Sequence, residues 1–180
     1  MKEVVTVRIL AISGSLRAAS SNTAVVRAAK RVAPENVEVV IYDGLAGLPH
    51  FNPDFDNEEV APSVADFRWQ MKRSDRVLIS SPEYAHGVPG TLKNALDWLV
   101  SSGETVGKPF ALVNTSPRAV HAQASLKEIL ETMAAVIASE ASVALPLGDK
   151  KDEASIAADP DLSAQLRSAI LELAHRHSSD

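Results

Sequence analysis

The sequence ILAISGSLRAASSNTAVVRAAKRV, residues 9–32, decides the fold class. Its solidly apolar start is typical of a parallel strand that is covered on both faces of a sheet. The apolar run stops at Ser13, Gly14 and Ser15, and a helical pattern begins at Ser21. A strand, a loop rich in hydroxyl groups and a helix in this order predict the first βα unit of an α/β domain.

The rest of the chain repeats this alternation of strands and helices. Apolar and β-branched runs predict five strands, at residues 4–12, 37–42, 75–81 and 109–114 and within 136–145. Apolar residues at helical spacing predict five helices, at residues 21–33, from about 61, at 92–99 and 126–133, and from about 160. This pattern favours one domain over residues 1–180, with an open parallel sheet and helices on both faces.

Two connections between these elements are distinctive. Residues 43–57 form a long irregular segment whose apolar side chains either fold over the sheet or help to form an oligomer; they are Leu45, Leu48, Phe51 and Phe55. Residues 148–155 are predicted to be a polar connection to the last helix.

Composition excludes several classes of function. The 180 residues include no cysteine, which excludes thiol chemistry and disulfides, and no metal site is predicted. The 23 acidic and 18 basic residues give a net charge of −5, which argues against nucleic acid or an anionic membrane as the main partner. No apolar run approaches the ~20 residues of a membrane-spanning helix. The N-terminal residues lack the uninterrupted apolar stretch of a signal peptide, so we expect a cytoplasmic location.

Three segments follow predicted strand ends: residues 13–22, 81–89 and 114–121, called here the first, second and third segment. In open α/β sheets, ligands bind outside the carboxyl ends of the strands, where the strand order reverses. We therefore expect the three segments to converge on one site.

The first segment combines hydroxyl groups, an amide and a guanidinium at the start of a helix. Backbone N–H groups at a helix start attract anions, and Arg17 suits a phosphate group. Neutral donors are added by Ser15, Ser20, Ser21, Asn22 and Thr23. The same residue types are favoured helix caps, so phosphate binding and simple capping both remain open.

The second segment is a stiff loop between Pro82 and Pro89, with Glu83, Tyr84 and His86 near its tip. The ring of Tyr84 suits one side of a flat ligand. The alternative interpretation is a proline-rich turn before the next helix.

Two motifs in these segments resemble those of the NAD(P)H-dependent FMN reductase family, which includes azo, quinone and chromate reductases. GSLRAASSNT, residues 14–23, resembles the family motif G-S-L-R-x-x-S-x-N. PEYAHGVPGTLKNALDW, residues 82–98, resembles P-E-Y-N-x-x-x-P-G-x-L-K-N-A-[IL]-D-W. The resemblance implies a flavodoxin-like fold with strand order 2-1-3-4-5, for which FMN at the switch point between the first and third strands is a general rule.

The resemblance also implies FMN as the bound cofactor and NAD(P)H as the co-substrate. It implies that the FMN phosphate and ribityl chain are held by Ser15, Arg17, Ser20, Asn22 and Thr23. It implies that the isoalloxazine ring is lined by Pro82, Glu83, Tyr84, Ala85 and His86, with Thr115, Ser116 and Arg118 at its pyrimidine side. The family usually has asparagine where this chain has Ala85, so a side-chain hydrogen bond is missing there.

The activity implied by the resemblance is hydride transfer from NAD(P)H through FMN to a small acceptor by a ping-pong mechanism. The acceptor is a flavin, a quinone, an azo compound or a metal oxyanion. No side chain is required as an acid or a base, so no catalytic residue is named. The resemblance further implies a homodimer or a homotetramer, and it favours an oligomer contact for the apolar side chains of residues 43–57. The alternative is a flavodoxin-like electron carrier that serves protein partners, but such carriers are usually much more acidic than this chain.

Overall fold

The computed structural model describes residues 6–150 and 152–175 and is built around one parallel sheet. Its strands are β1 (Val7–Ser13), β2 (Val37–Tyr42), β3 (Arg76–Ser80), β4 (Pro109–Asn114), β5 (Val136–Ile137) and β6 (Val143–Ala144). The order is β2-β1-β3-β4-β5, and β6 also pairs with β4. The predicted order 2-1-3-4-5 is confirmed. Val4 and Val5 of the predicted first strand lie outside the described residues.

The far edge of the sheet differs from the single strand predicted within residues 136–145. Two strands of two residues each, β5 and β6, pair with β4, and a short 3-10 helix, Ser139–Ala141, separates them. The hydroxyl of Ser142 accepts a hydrogen bond from Leu112 N (3.0 Å) and donates one to Ala138 O (3.0 Å). A side chain thus satisfies the backbone N–H that a continuous strand would have paired. The described residues therefore contain six strands, one more than the five predicted.

Six α-helices connect and cover the strands: α1 (Ser21–Val32), α2 (Pro62–Arg73), α3 (Gly90–Asp97), α4 (Val120–Thr132), α5 (Glu153–Ala158) and α6 (Pro160–His175). The five predicted helices are present. The additional helix is α5, which begins within the polar connection predicted at residues 148–155. Lys151 of this connection lies outside the described residues. Asp152 caps α5 by accepting a hydrogen bond from Ser155 N (2.9 Å), and Ile156 is fully buried. Among the described residues, no helix has the length and apolar character needed to cross a bilayer.

Each face of the sheet has its own apolar core. Successive side chains of a strand point to opposite faces. Ile9 and Ala11 of β1 therefore pack with α1, α5 and α6, whereas Leu10 and Ile12 pack with α2, α3 and α4. All four are buried. The prediction of helices on both faces is confirmed, and it explains why β1 is apolar at consecutive positions.

The long segment at residues 43–57 folds onto the core, which is the alternative that the resemblance did not favour. Leu45 and Leu48 are buried, and the ring of Phe51 packs edge-on against Trp98, with ring centroids 5.0 Å apart. Phe55 differs from these residues because 65% of its surface is exposed.

Two residues of the second family-like motif fasten this segment to α3. Asn94 Oδ1 accepts a hydrogen bond from Phe51 N (2.7 Å), and Asn94 Nδ2 donates one to Pro49 O (2.9 Å). Trp98 Nε1 donates to the same Pro49 oxygen (2.9 Å). The second half of the motif, residues 91–98, therefore has a structural role in this chain.

Candidate active site

The strand register brings the three predicted segments together. In the register of the sheet, Ser13 of β1 is paired with Ser80 of β3, and Ser80 is paired with Val113 of β4. The segments that follow enclose a cleft of about 420 Å³. Nine of the twelve predicted site residues line it: Ser15, Arg17, Ser20, Asn22, Pro82, Glu83, Tyr84, Thr115 and Ser116.

Three predicted site residues do not line this cleft. Thr23 borders two neighbouring clefts, and its hydroxyl is 2.8 Å from Ser13 Oγ. Ala85 and His86 lie in an exposed turn at the tip of the second segment. Their predicted contacts with FMN stay predictions.

Four further residues line the cleft beyond the nine: Ser21, Ser81, Arg118 and Ala119. Of these, the sequence had indicated Ser21 as a donor and Arg118 at the pyrimidine side of the ring. The pair Ser80 and Ser81 offered a signal for this position, because two hydroxyl residues end an otherwise apolar strand. Ser81 is 3% exposed and lines the cleft, whereas Ser80 is fully buried and its hydroxyl donates a hydrogen bond to Asn22 Oδ1.

Gly14 lets the first and second segments approach closely. Its N–H donates a hydrogen bond to Ser80 O (2.8 Å). A Cβ atom at position 14 would lie 2.4 Å from Ser81 Oγ and 2.9 Å from Ser81 Cβ. Glycine is therefore required here by the neighbouring strand end.

The start of α1 carries positive potential without a compensating acid. Ser20 is the N-cap and accepts a hydrogen bond from Thr23 N (3.4 Å), so the capping interpretation is confirmed for this residue. The first turn of α1 contains no acidic residue. Within residues 6–150 and 152–175, the Arg17 guanidinium forms no ion pair, and the residue is exposed. Such an arrangement attracts anions.

Asn22 connects all three strand ends. It is 6% exposed, and its Oδ1 accepts hydrogen bonds from Ser80 Oγ (2.9 Å) and Thr115 Oγ1 (3.3 Å). Because the residue lies in the first turn of α1, these bonds tie the first segment to β3 and to the third segment. Asn22 therefore holds the site together, in addition to any contact with a ligand.

The tip of the second segment is a tight turn with an unfavourable backbone conformation. Tyr84 and Gly87 exchange backbone hydrogen bonds of 3.1 and 2.9 Å. The two residues between them, Ala85 and His86, have φ angles of +48° and +60°. Positive φ at both central positions is typical of a type I′ turn, which favours asparagine and glycine. The asparagine usual in the family at position 85 thus has a conformational explanation.

Replacing Ala85 by asparagine or by glycine is expected to raise the free energy of unfolding by about 0.5–1 kcal/mol, because both adopt positive φ more easily than alanine. At this chain length, 1 kcal/mol corresponds to roughly 2–4 °C in Tm, which calorimetry measures. Glycine is the conformational control. If an asparagine side chain also contacts FMN, only Ala85→Asn tightens FMN binding, by up to about tenfold. A lower Tm in both variants would contradict the conformational explanation.

Two contacts join the second segment to the start of α4. Glu83 Oε2 accepts a hydrogen bond from Ala122 N (2.8 Å). The imidazole rings of His86 and His121 stack with centroids 4.3 Å apart and an interplanar angle of 15°. The side of the cleft between the second and third segments is therefore built from two connected loops.

The sequence model of the NADPH-dependent FMN reductase family matches residues 7–150 of this chain. The chain belongs to the NADPH-dependent FMN reductase family. A quinone reductase of Escherichia coli strain K12 is 34% identical over 137 residues, which are 72% of this chain and 72% of that protein. These two matches confirm the predicted family and the oxidoreductase class.

Two further comparisons agree with this membership. A probable NADPH:quinone oxidoreductase 2 of Oryza sativa subsp. japonica is 42% identical over 94 residues, 51% of this chain. The chain spans about half the length of that relative, 46%. The structure of FerB, a flavoenzyme NAD(P)H:(acceptor) oxidoreductase from Paracoccus denitrificans, matches with a TM-score of 0.71 and 26% identity over 93% of this chain and 97% of that chain. The flavodoxin-like fold is confirmed, and the family implies FMN as cofactor and NAD(P)H as co-substrate.

Proposed function

We propose that this chain is an NAD(P)H-dependent FMN oxidoreductase that reduces a small acceptor: a flavin, a quinone, an azo compound or a metal oxyanion. The observation that carries the proposal is the cleft at the strand ends, which is lined both by the anion-attracting start of α1 and by Tyr84. Its volume of about 420 Å³ lies within the range of sites for small molecules and cofactors.

The donors of the first segment fit the phosphate end of FMN. A phosphate accepts hydrogen bonds from backbone N–H groups, hydroxyls and guanidinium groups. The cleft offers all three kinds of donor, and the first turn of α1 has no carboxylate to repel the phosphate. The residues that would hold the phosphate and ribityl chain are Ser15, Arg17, Ser20, Asn22 and Thr23.

The second and third segments fit the ring end. The residues that would line the isoalloxazine are Pro82, Glu83, Tyr84, Ala85, His86, Thr115 and Ser116. When bound, FMN supplies the two-electron chemistry that links NAD(P)H to the acceptor. The protein's part is to bind and orient, and no side chain is needed to move a proton. Tyr84 is 56% exposed, so the ring end of the cleft is open to solvent. NAD(P)H and the acceptor could therefore bind there in turn, as a ping-pong mechanism requires.

The identity of the flavin is tested by releasing it from the purified protein with heat and separating it by chromatography. We expect FMN, because the described residues offer one phosphate-binding helix start and the sequence contains no G-x-G-x-x-G dinucleotide fingerprint. FAD as the main species would contradict the proposal.

The enzyme and the electron-carrier alternative differ in what they need for turnover. The proposed enzyme oxidises NADPH or NADH when only a quinone is added. Its double-reciprocal plots of initial rate against NAD(P)H concentration, measured at several quinone concentrations, are parallel lines. An electron carrier leaves NAD(P)H unoxidised until a separate reductase is supplied. Absence of turnover with NADPH, NADH and several quinones would therefore favour the alternative.

The proposed oligomer and location complete the functional picture. We propose a homodimer or a homotetramer, supported by exposed apolar side chains at Phe55, Trp69 and Val100. Light scattering coupled to size-exclusion chromatography measures the mass directly, and a monomer at micromolar concentration would contradict this proposal. The cytoplasmic location stays a prediction of the sequence, which cell fractionation tests.

A further inference from the structure

The carboxylate of Glu83 caps a helix to which it does not belong. Its Oε2 accepts a hydrogen bond from Ala122 N at 2.8 Å, across 39 residues of sequence. Ala122 is the third residue of α4, and an N-cap side chain normally accepts from this position. The residue before α4 is Ala119, which has no side-chain acceptor, and α4 has no acidic residue in its first turn. Glu83 supplies both the missing acceptor and the missing negative charge.

This cap has a consequence for the shape of the cleft. Two residues of the third segment line the cleft directly before α4, namely Arg118 and Ala119. Pro82 and Tyr84, the neighbours of Glu83, line the same cleft from the second segment. The Glu83–Ala122 hydrogen bond, together with the stacking of His86 on His121, therefore joins the two segments that border the cleft.

We propose that Glu83 is a positioning residue that sets the width of the cleft between the second and third segments. It acts through α4 and not by contact of its carboxylate with the reacting groups. The side that it shapes is the one at which NAD(P)H and the acceptor would bind, so this inference rests on the proposed function. Losing the hydrogen bond lets the third segment move, while the phosphate-binding donors of the first segment stay in place.

The variants Glu83→Ala and Glu83→Gln separate the hydrogen bond from the charge. Glutamine keeps an acceptor oxygen at nearly the same place, whereas alanine removes it. Hydrogen bonds to charged groups are about twice as strong as neutral ones. We therefore expect a large effect in Glu83→Ala and a partial rescue in Glu83→Gln.

The first measurement is hydrogen exchange at the Ala122 amide in the FMN-bound protein, which needs no turnover. We expect its protection to fall about tenfold or more in Glu83→Ala, and by a smaller factor in Glu83→Gln. The second is steady-state kinetics. KM for NAD(P)H and for quinone is expected to rise about five- to tenfold in Glu83→Ala, with a smaller change in kcat.

Asp152→Ala is the matched control, because Asp152 is also an acidic helix cap, of α5, and does not line the cleft. It is expected to lower Tm without raising either KM. Unchanged exchange at Ala122 in Glu83→Ala would overturn the capping contact. Faster exchange with unchanged KM values would overturn the positioning role. If the wild type does not oxidise NAD(P)H, the proposed function fails. Hydrogen exchange at the Ala122 amide then tests the role of Glu83 by itself, because it needs no turnover. Unchanged exchange in Glu83→Ala overturns the inference.

Discussion

Replacement of Trp98 by alanine is expected to lower the free energy of unfolding by about 3–5 kcal/mol. Trp98 is 1% exposed and lies at the end of α3, where its indole packs against Phe51 and donates a hydrogen bond to Pro49 O. Alanine leaves a cavity and removes one of the links that hold residues 43–57. Because typical domains are stable by about 5–15 kcal/mol, this single change removes a large share. Urea unfolding followed by circular dichroism measures the loss.

Trp69→Ala is the matched control for the same residue type. Trp69 lies on α2, is 49% exposed and contacts the Arg73 guanidinium, which is 4.3 Å from the ring centroid. Its removal is expected to cost less than about 1 kcal/mol. Trp98→Phe keeps an aromatic ring but loses the N–H, so an intermediate loss is expected. Equal losses in Trp98→Ala and Trp69→Ala would contradict the buried role of Trp98.

The sequence was sufficient for the central sheet because each central strand carries its own apolar signal. Four consecutive buried residues in β1 indicate a strand covered on both faces, and the alternation of elements then predicts a parallel sheet. The far edge could not be predicted in the same way. Strands of two residues carry no periodicity, and the hydroxyl of Ser142 replaces a backbone partner without changing the apolar pattern around it. Helix α5 was missed because its six residues bury little apolar surface.

The position of the site was predictable from topology, but its internal contacts were not. Parallel strand ends meet at one edge, so the convergence of the three segments followed from the strand order. The turn at Ala85 and His86 has positive φ angles that neither residue type signals. The contact of Glu83 with Ala122 is non-local, and no pattern along the chain indicates it. Likewise, a sequence motif does not distinguish a residue that binds the cofactor from a residue with a structural role, such as Asn94.

Replacement of Arg17 by alanine is expected to raise the FMN dissociation constant by about ten- to 150-fold. Arg17 lines the cleft beside the start of α1 and forms no ion pair with any described residue, so its guanidinium is available to a phosphate. Hydrogen bonds to charged groups are worth about 1.5–3 kcal/mol, which gives this range. Ser20 already caps α1, so the free energy of unfolding of the apoprotein is expected to change by no more than about 0.5 kcal/mol. Titration of apoprotein followed by flavin fluorescence measures the affinity.

Two controls decide whether Arg17 binds the phosphate group itself. Riboflavin lacks the phosphate, so its weaker binding should be nearly the same in the wild type and in Arg17→Ala. Arg27→Ala removes an equal charge from the exposed side of α1, where Arg27 borders neighbouring clefts and not the cleft itself. Because salt screens exposed charges that make no direct contact, this variant should change FMN affinity by no more than about twofold. Equal losses for FMN and riboflavin in Arg17→Ala would mean that Arg17 supports the fold of the first segment and does not bind the phosphate.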